Sequence, residues 1–193
     1  AVVLVETDSG TGSAVFIGNN YLITAAHVVN NMGLNDYCEI EFQDPNNPDR
    51  QRIRAMAQMM TIGEISSKYD PSQDFALLHI VTIDGSKFAN PCAIGSSAAV
   101  KVKDKIKVVG FPGGTFSYTE GVVSSIKGSE NTDLFDVSAG AWPGNSGGAL
   151  FNQNDQLIGI VTLKGKHSVN DGKTYALKID KIKRELQAKG FQL

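Results

Sequence analysis

Ser146 stands among glycines in Ala141-Trp142-Pro143-Gly144-Asn145-Ser146-Gly147-Gly148-Ala149-Leu150, just ahead of an apolar run. Gly144, Gly147 and Gly148 allow backbone conformations that a Cβ forbids. A turn of that kind can aim its N–H groups inward beside an exposed hydroxyl. Acyl transfer needs this pairing: a nucleophile, and donors for the oxyanion that forms when it attacks. Taken alone, the stretch describes a plain tight turn equally well. The choice rests on what else the chain supplies.

A serine nucleophile needs a base, and the chain has three histidines. His79 lies inside Phe75-Ala76-Leu77-Leu78-His79-Ile80 and reads as a structural or surface residue. His167 sits in a loop containing Lys and Gly and reads as solvated. His27 follows a strand end and two alanines, Thr24-Ala25-Ala26, whose small side chains leave room for a partner. The acid candidate is Asp74, which opens the apolar stretch Phe75-Ala76-Leu77-Leu78. A carboxylate entering a buried strand is costly unless paired. A histidine N–H is a natural partner, and the pairing fixes the imidazole tautomer. Asp70 is nearby, but Pro71 and Ser72 place it in a loop.

Thr24-Ala25-Ala26-His27, Asp74-Phe75-Ala76-Leu77-Leu78 and Gly144-Asn145-Ser146-Gly147-Gly148, in that order, resemble the trypsin-like serine peptidase superfamily. Two bacterial branches share more. HtrA-type peptidases resemble the chain at Thr24 to Val29 and Pro143 to Leu150. The glutamyl-endopeptidase branch resembles it at Gly110-Phe111-Pro112-Gly113, Phe135-Asp136-Val137-Ser138 and Gly144 to Ile160. The resemblance covers nearly the whole chain. It implies an all-β fold of two six-stranded antiparallel barrels, with the site in the cleft between them. It also implies a serine endopeptidase acting on polypeptides through an acyl-enzyme, without cofactor or metal. His27 would be base and then acid, Asp74 its orienting partner, and Ser146 the nucleophile. The N–H groups of Gly144 and Ser146 would form the oxyanion hole. Thr162 falls where the family has a hydroxyl supporting the aspartate.

The departures are informative. Asn145 stands where pancreatic-type enzymes have an Asp that pairs with a freed N-terminus, so no latch of that kind is expected. Val28 replaces the cysteine that commonly follows the histidine. Gly140 stands where the family usually has the floor of the primary pocket, and it carries no charge. Ala141 and Val161 stand where the glutamyl branch has Thr and His. An apolar pocket and an uncharged aliphatic residue before the cut are therefore expected. Val161-Thr162-Leu163-Lys164 is expected to offer a strand edge to which substrate adds. HtrA-type enzymes usually carry a PDZ domain after the protease, and here Leu193 comes soon after the last helix. Neither peptide-gated regulation nor trimerisation is carried over.

Two other readings bear on the same residues. A non-catalytic relative would use the cleft for binding, although no triad residue is missing. An α/β-hydrolase esterase also satisfies G-x-S-x-G, with Asp155 and His167 following in order. Its serine should join a strand to a helix, whereas the residues after Ser146 read as a strand.

The elements that must hold these residues are short strands between turn signals. Strands are expected at Val2–Val5, Ser13–Ile17, Tyr21–Thr24, Tyr37–Phe42, Arg52–Met60 and Phe75–Ile83. A polar loop runs from Gln43 to Arg50. Further strands are expected at Phe116–Ile126, Leu134–Val137, Ala149–Phe151, Leu157–Leu163 and Thr174–Leu177, with Asp8 to Gly12 as a turn. Lys101, Lys103, Lys105 and Lys107 read as the solvated face of one more strand, ending at Gly110. Only the tail is helical. Asp180 is its expected cap, Ile182 and Leu186 its apolar pair, and Gly190 its stop. A dozen strands and one helix suggest barrels or a sandwich.

A chain of 193 residues buries about 70% of its unfolded surface without staples. Residues 1–94 are expected to form the barrel carrying His27 and Asp74. Residues 95–193 are expected to form the one carrying Ser146, with Gly95 to Ala99 as the joint. The net charge of −2 argues against nucleic acid or an anionic membrane as the main partner. No apolar run approaches the ~18 residues of a spanning helix. Cys38 and Cys92 match no zinc or redox spacing and read as buried free thiols. They leave the redox compartment open, and a secreted or periplasmic location is favoured over the cytoplasm.

Overall fold

The computed structural model describes residues 1–44, 51–64, 70–128, 131–162 and 174–193. The first barrel contains β1 (Val2–Thr7), β2 (Gly10–Gly18), β3 (Tyr21–Thr24), β4 (Tyr37–Phe42), β5 (Ile53–Ile62) and β6 (Ala76–Ile80). The second contains β7 (Lys105–Gly110), β8 (Ser117–Ser125), β9 (Leu134–Val137), β10 (Ala149–Asn152), β11 (Leu157–Thr162) and β12 (Thr174–Lys178), followed by α1 (Ile179–Ala188). Each barrel is closed, the first in the order β1-β2-β3-β6-β5-β4, and the second repeats that order with β7 to β12. The named strands pair antiparallel throughout. This is the expected all-β architecture of two six-stranded barrels with a C-terminal helix.

Burial explains why several strands are apolar on both faces. In β1, Val3 and Val5 point into the first barrel, while Val2 and Leu4 join the layer between barrels. In β6, Ala76 and Leu78 fill the first barrel, and Leu77 joins Phe75 in the shared layer. That layer also takes Leu134, Ile160 and Leu177 from the second barrel, and Ile179, Ile182 and Leu186 from α1. Val108, Val123, Phe135, Leu150 and Val161 fill the second barrel. Alternation of period two thus serves two apolar environments instead of one apolar and one wet.

Some boundaries differ from expectation, each for a local reason. The Asp8 to Gly12 turn narrows because Gly10 already pairs with Thr7 across the hairpin. Only Lys105 and Lys107 of the lysine stripe lie on a strand. Lys101 to Asp104 is a turn, closed by the Asp104 carboxylate on the Lys101 N–H (2.8 Å), with Lys103 at φ +74°. Period two alone did not distinguish that turn from a strand. Asp180 does not cap its own helix. It lies in the first turn and accepts from Ser96 Oγ and the Ala98 N–H, both at 3.0 Å. The Asp180 N–H is instead capped by Ser97 Oγ at 3.2 Å. Gly190 ends the tail at φ +88°. Glu41, on the face of β4 opposite Cys38, Ile40 and Phe42, is buried and held by Arg52 (2.9 Å) and Arg54 (2.8 Å). Both cysteines are free, and burial raises the Cys38 thiol to about 11. Most of the Gln43 to Arg50 loop, Leu163, Lys164 and His167 lie outside the described residues.

Candidate active site

His27 sits in a single 3₁₀ turn, Ala26–Val28, directly after β3. Asp74 follows the turn Pro71–Gln73, which the Asp70 carboxylate caps through the Ser72 N–H. β3 and β6 are neighbours, with Thr24 opposite Ala76, so the two residues meet at one barrel end. Asp74 Oδ1 accepts the His27 backbone N–H at 2.9 Å, and Oδ2 lies 2.8 Å from His27 Nδ1. Thr162 Oγ1, from the second barrel, donates to the same Oδ2. Asp74 is 2% exposed. Burial pushes its carboxyl upward, but the His27 ring, the Thr162 hydroxyl and the His27 N–H outweigh that and hold it below the usual range. An ionised carboxylate can only accept, so Nδ1 carries the proton and Nε2 is left as a base.

Ser146 is buried in the loop before β10. Its carbonyl accepts the Ser13 N–H at 2.8 Å, and the Gly147 N–H donates to Val161 O at 2.8 Å. Gly147 has φ +82°, and a Cβ there would lie 2.0 Å from Ser13 O and 2.3 Å from Thr24 Oγ1. The serine loop therefore docks on the end of β3, beside the turn that carries His27. Gly144 has φ +101°, and its missing Cβ would meet Phe111 O at 2.6 Å. Gly148 does not need a positive φ, but it packs against Val109 O. Among the described residues, the N–H groups of Gly144 and Ser146 donate to no acceptor in the chain, and no hydrogen bond joins the Ser146 hydroxyl to His27. Catalytic hydrogen bonds are often long before substrate arrives.

The pocket candidates are spread out. Gly140 is exposed and a Cβ there would meet nothing within 4 Å. Ala141 is half-buried beside the second core. The Val161 side chain faces into that core, and its backbone is taken by Gly147 and Gly148. An edge open to a peptide thus begins no earlier than Thr162, whose hydroxyl points to Asp74. His79 packs against Tyr21, with ring centroids 5.0 Å apart and the planes tilted by 58°. Asp155 pairs with Lys107 at 2.5 Å in the β10–β11 turn. Ser146 leads into a strand, not a helix. Among the described residues, one carboxylate trio, Glu6, Glu39 and Glu41, is close enough for a metal, and it lies on the first barrel with arginines on two of its members.

One residue escaped the sequence reading, Ser13, and for a second, Asn145, only its surroundings did. Ser13 is fully buried and bonds to the serine loop, yet within Gly12-Ser13-Ala14 it looks like any strand residue. Asn145 is 1% exposed, with neither side-chain polar atom hydrogen-bonded.

Two closed barrels with an imidazole–carboxylate pair at the end of the first, and a glycine-rich serine loop docked beside it from the second, define a peptidase architecture. Residues 12–160 match the trypsin-like peptidase domain, and the chain belongs to that family. It is 29% identical to a serine protease HtrA-like of Staphylococcus epidermidis over 208 residues, covering 96% of this chain and 32% of that protein. It is 31% identical over 160 residues to the chloroplastic protease Do-like 2 of Arabidopsis thaliana, covering 79% of this chain and 23% of that one. The chain spans about a third or less of these relatives. The HtrA-type protease AlgW with a tripeptide superposes with TM-score 0.72 at 26% identity, over 98% of this chain and 59% of that one. The inactive form of the Rv3671c protease shares the fold, with TM-score 0.70 at 22% identity, over 99% of this chain and 89% of that one.

Proposed function

We propose that the chain is a serine endopeptidase whose triad is His27, Asp74 and Ser146. The observation that carries this reading is the double hold on His27. One carboxylate binds both its backbone N–H and its Nδ1, at the place where the serine loop docks. The Ser146 hydroxyl attacks the scissile carbonyl while Nε2 takes its proton. Asp74 stabilises the resulting imidazolium without itself becoming protonated. The carbonyl oxygen becomes an oxyanion held by the N–H groups of Gly144 and Ser146. His27 then returns the proton to the leaving amine, and water repeats the sequence on the acyl-enzyme. Losing one oxyanion donor of this kind costs about 100- to 1000-fold in kcat.

The substrate is a polypeptide with an uncharged aliphatic residue before the cut. Support comes from the open, chargeless Gly140 and the small Ala141 beside it. A tagged fluorophosphonate should label the protein, and Ser146→Ala should abolish the label. A folded wild type that resists the probe points to the non-catalytic reading. Mass-spectrometric mapping of cuts in an unfolded proteome tests the pocket. A profile led by Glu, Lys or Arg contradicts it.

A further inference from the structure

Every carbonyl from Trp142 to Ser146 is held. Trp142 O accepts the Asn145 N–H at 2.9 Å, Pro143 O the Gly113 N–H at 3.3 Å, and Asn145 O the Gly148 N–H at 2.8 Å. Ser146 O accepts the Ser13 N–H at 2.8 Å. Gly144 O accepts Ser13 Oγ at 2.7 Å. The peptide unit is planar and trans, so a carbonyl held on one side sends the N–H of the same plane to the other. Holding Pro143 O directs the Gly144 N–H, and holding Asn145 O directs the Ser146 N–H. Between those two planes lies the Gly144–Asn145 peptide. It follows a glycine at φ +101°, the residue type with the most freedom to rotate. Its carbonyl is the one in this loop held by a side chain.

That side chain is on the other barrel. Ser13 belongs to β2 and is fully buried, and its Oγ also accepts the Phe111 N–H at 2.9 Å. Phe111 opens the turn Pro112–Gly114, which includes the Gly113 N–H on Pro143 O. One hydroxyl therefore acts as donor to the middle of the serine loop and as acceptor to the segment that holds its start.

We propose that Ser13 is a positioning residue that sets the oxyanion donors. Its hydroxyl fixes the Gly144–Asn145 peptide, and through it the relative aim of the Gly144 and Ser146 N–H groups. The first barrel thereby aligns donors that belong to the second. This inference rests on the endopeptidase reading and deepens it.

Ser13→Ala removes only the hydroxyl. Its reaction with a tagged fluorophosphonate, whose phosphoryl oxygen enters the same donors as it bonds to Ser146, separates the roles. The maximal rate of labelling should fall about tenfold to 100-fold, since small misplacements near the reacting atoms cost that much. The half-saturating probe concentration should stay within about twofold, because encounter does not use these donors. A folded Ser13→Ala protein, checked by its circular-dichroism melt, that labels at the wild-type maximal rate overturns the proposal. So does a loss carried by the half-saturating concentration alone, which marks a general loosening of the cleft. If Ser13→Ala does not fold, Ser13→Cys keeps the volume close and offers only a weak donor. It should be slowed in the same way, and a wild-type maximal rate in it overturns the proposal equally. Wild-type labelling that disappears in Ser146→Ala supports the underlying reading whatever Ser13 does. A wild type that never labels overturns both.

Discussion

Thr162 shows how much a single hydroxyl in this site does. It reaches from the second barrel to Asp74 Oδ2, which His27 also engages. The Asp74 carboxyl is held below its ordinary value near 3.9, despite burial. A depressed acid contributes its stability in full above that ordinary value and loses it as pH falls through the folded one. Thr162→Val removes one of the donors and moves the folded value back up. The variant should lose about 1.5–3 kcal/mol at pH 7, the range for a hydrogen bond to a charged group. The penalty should shrink as pH falls through the folded value of Asp74 and the carboxylate is protonated. Urea midpoints at pH 7 and at a series of lower pH values measure this, and a penalty that stays constant down to acid unfolding would count against the electrostatic account. Asn145 illustrates the opposite case. Its buried amide gains no hydrogen bond, and an amide cannot supply the charge that an N-terminal latch pairs with.

At the scale of elements, α1 is a clamp more than a terminal ornament. Ile179, Ile182 and Leu186 are fully buried in the layer that joins the barrels. Its start is tied to the 96–98 segment through Asp180 and Ser97, so the helix is anchored by two kinds of contact. Leu186→Ala should cost about 2–5 kcal/mol, the usual range for a buried leucine. Urea unfolding followed by circular dichroism checks it. A cost under about 1 kcal/mol would mean that the helix can leave without disturbing the barrels.

At the scale of the molecule, the barrels share one apolar layer, while the proposed site straddles their boundary. The hydrogen bonds from Thr162 to Asp74 and from Ser13 to Gly144 both cross it. A layer that neither barrel can bury alone couples their unfolding. Differential scanning calorimetry should give a single transition, with equal calorimetric and van't Hoff enthalpies. Two resolved transitions would show that the layer is too weak to couple the halves.

The residues proposed to carry the chemistry stand out locally, because His27, Asp74 and Ser146 each sit in a short run of distinctive composition. Strand content was visible too, since period two survives wherever a residue faces either a barrel interior or the shared layer. The same period misassigned Lys101 to Asp104, where a positive φ at Lys103 and one carboxylate make a turn. Period two also gives no sign that Glu41 is buried, which depends on Arg54 of the neighbouring strand and Arg52 just before it. Asp180 had the composition of a cap, but a cap is defined by what its carboxylate meets, and here that is another segment. Ser13 carried no local signal, because its partners Phe111 and Gly144 lie 98 and 131 residues away along the chain. Sequence alone determined the residue types, their order and the strand periodicity, which are properties of short windows. Tertiary structure decided which carbonyl each hydroxyl meets, because those partners are brought together only when two closed barrels pack on one layer.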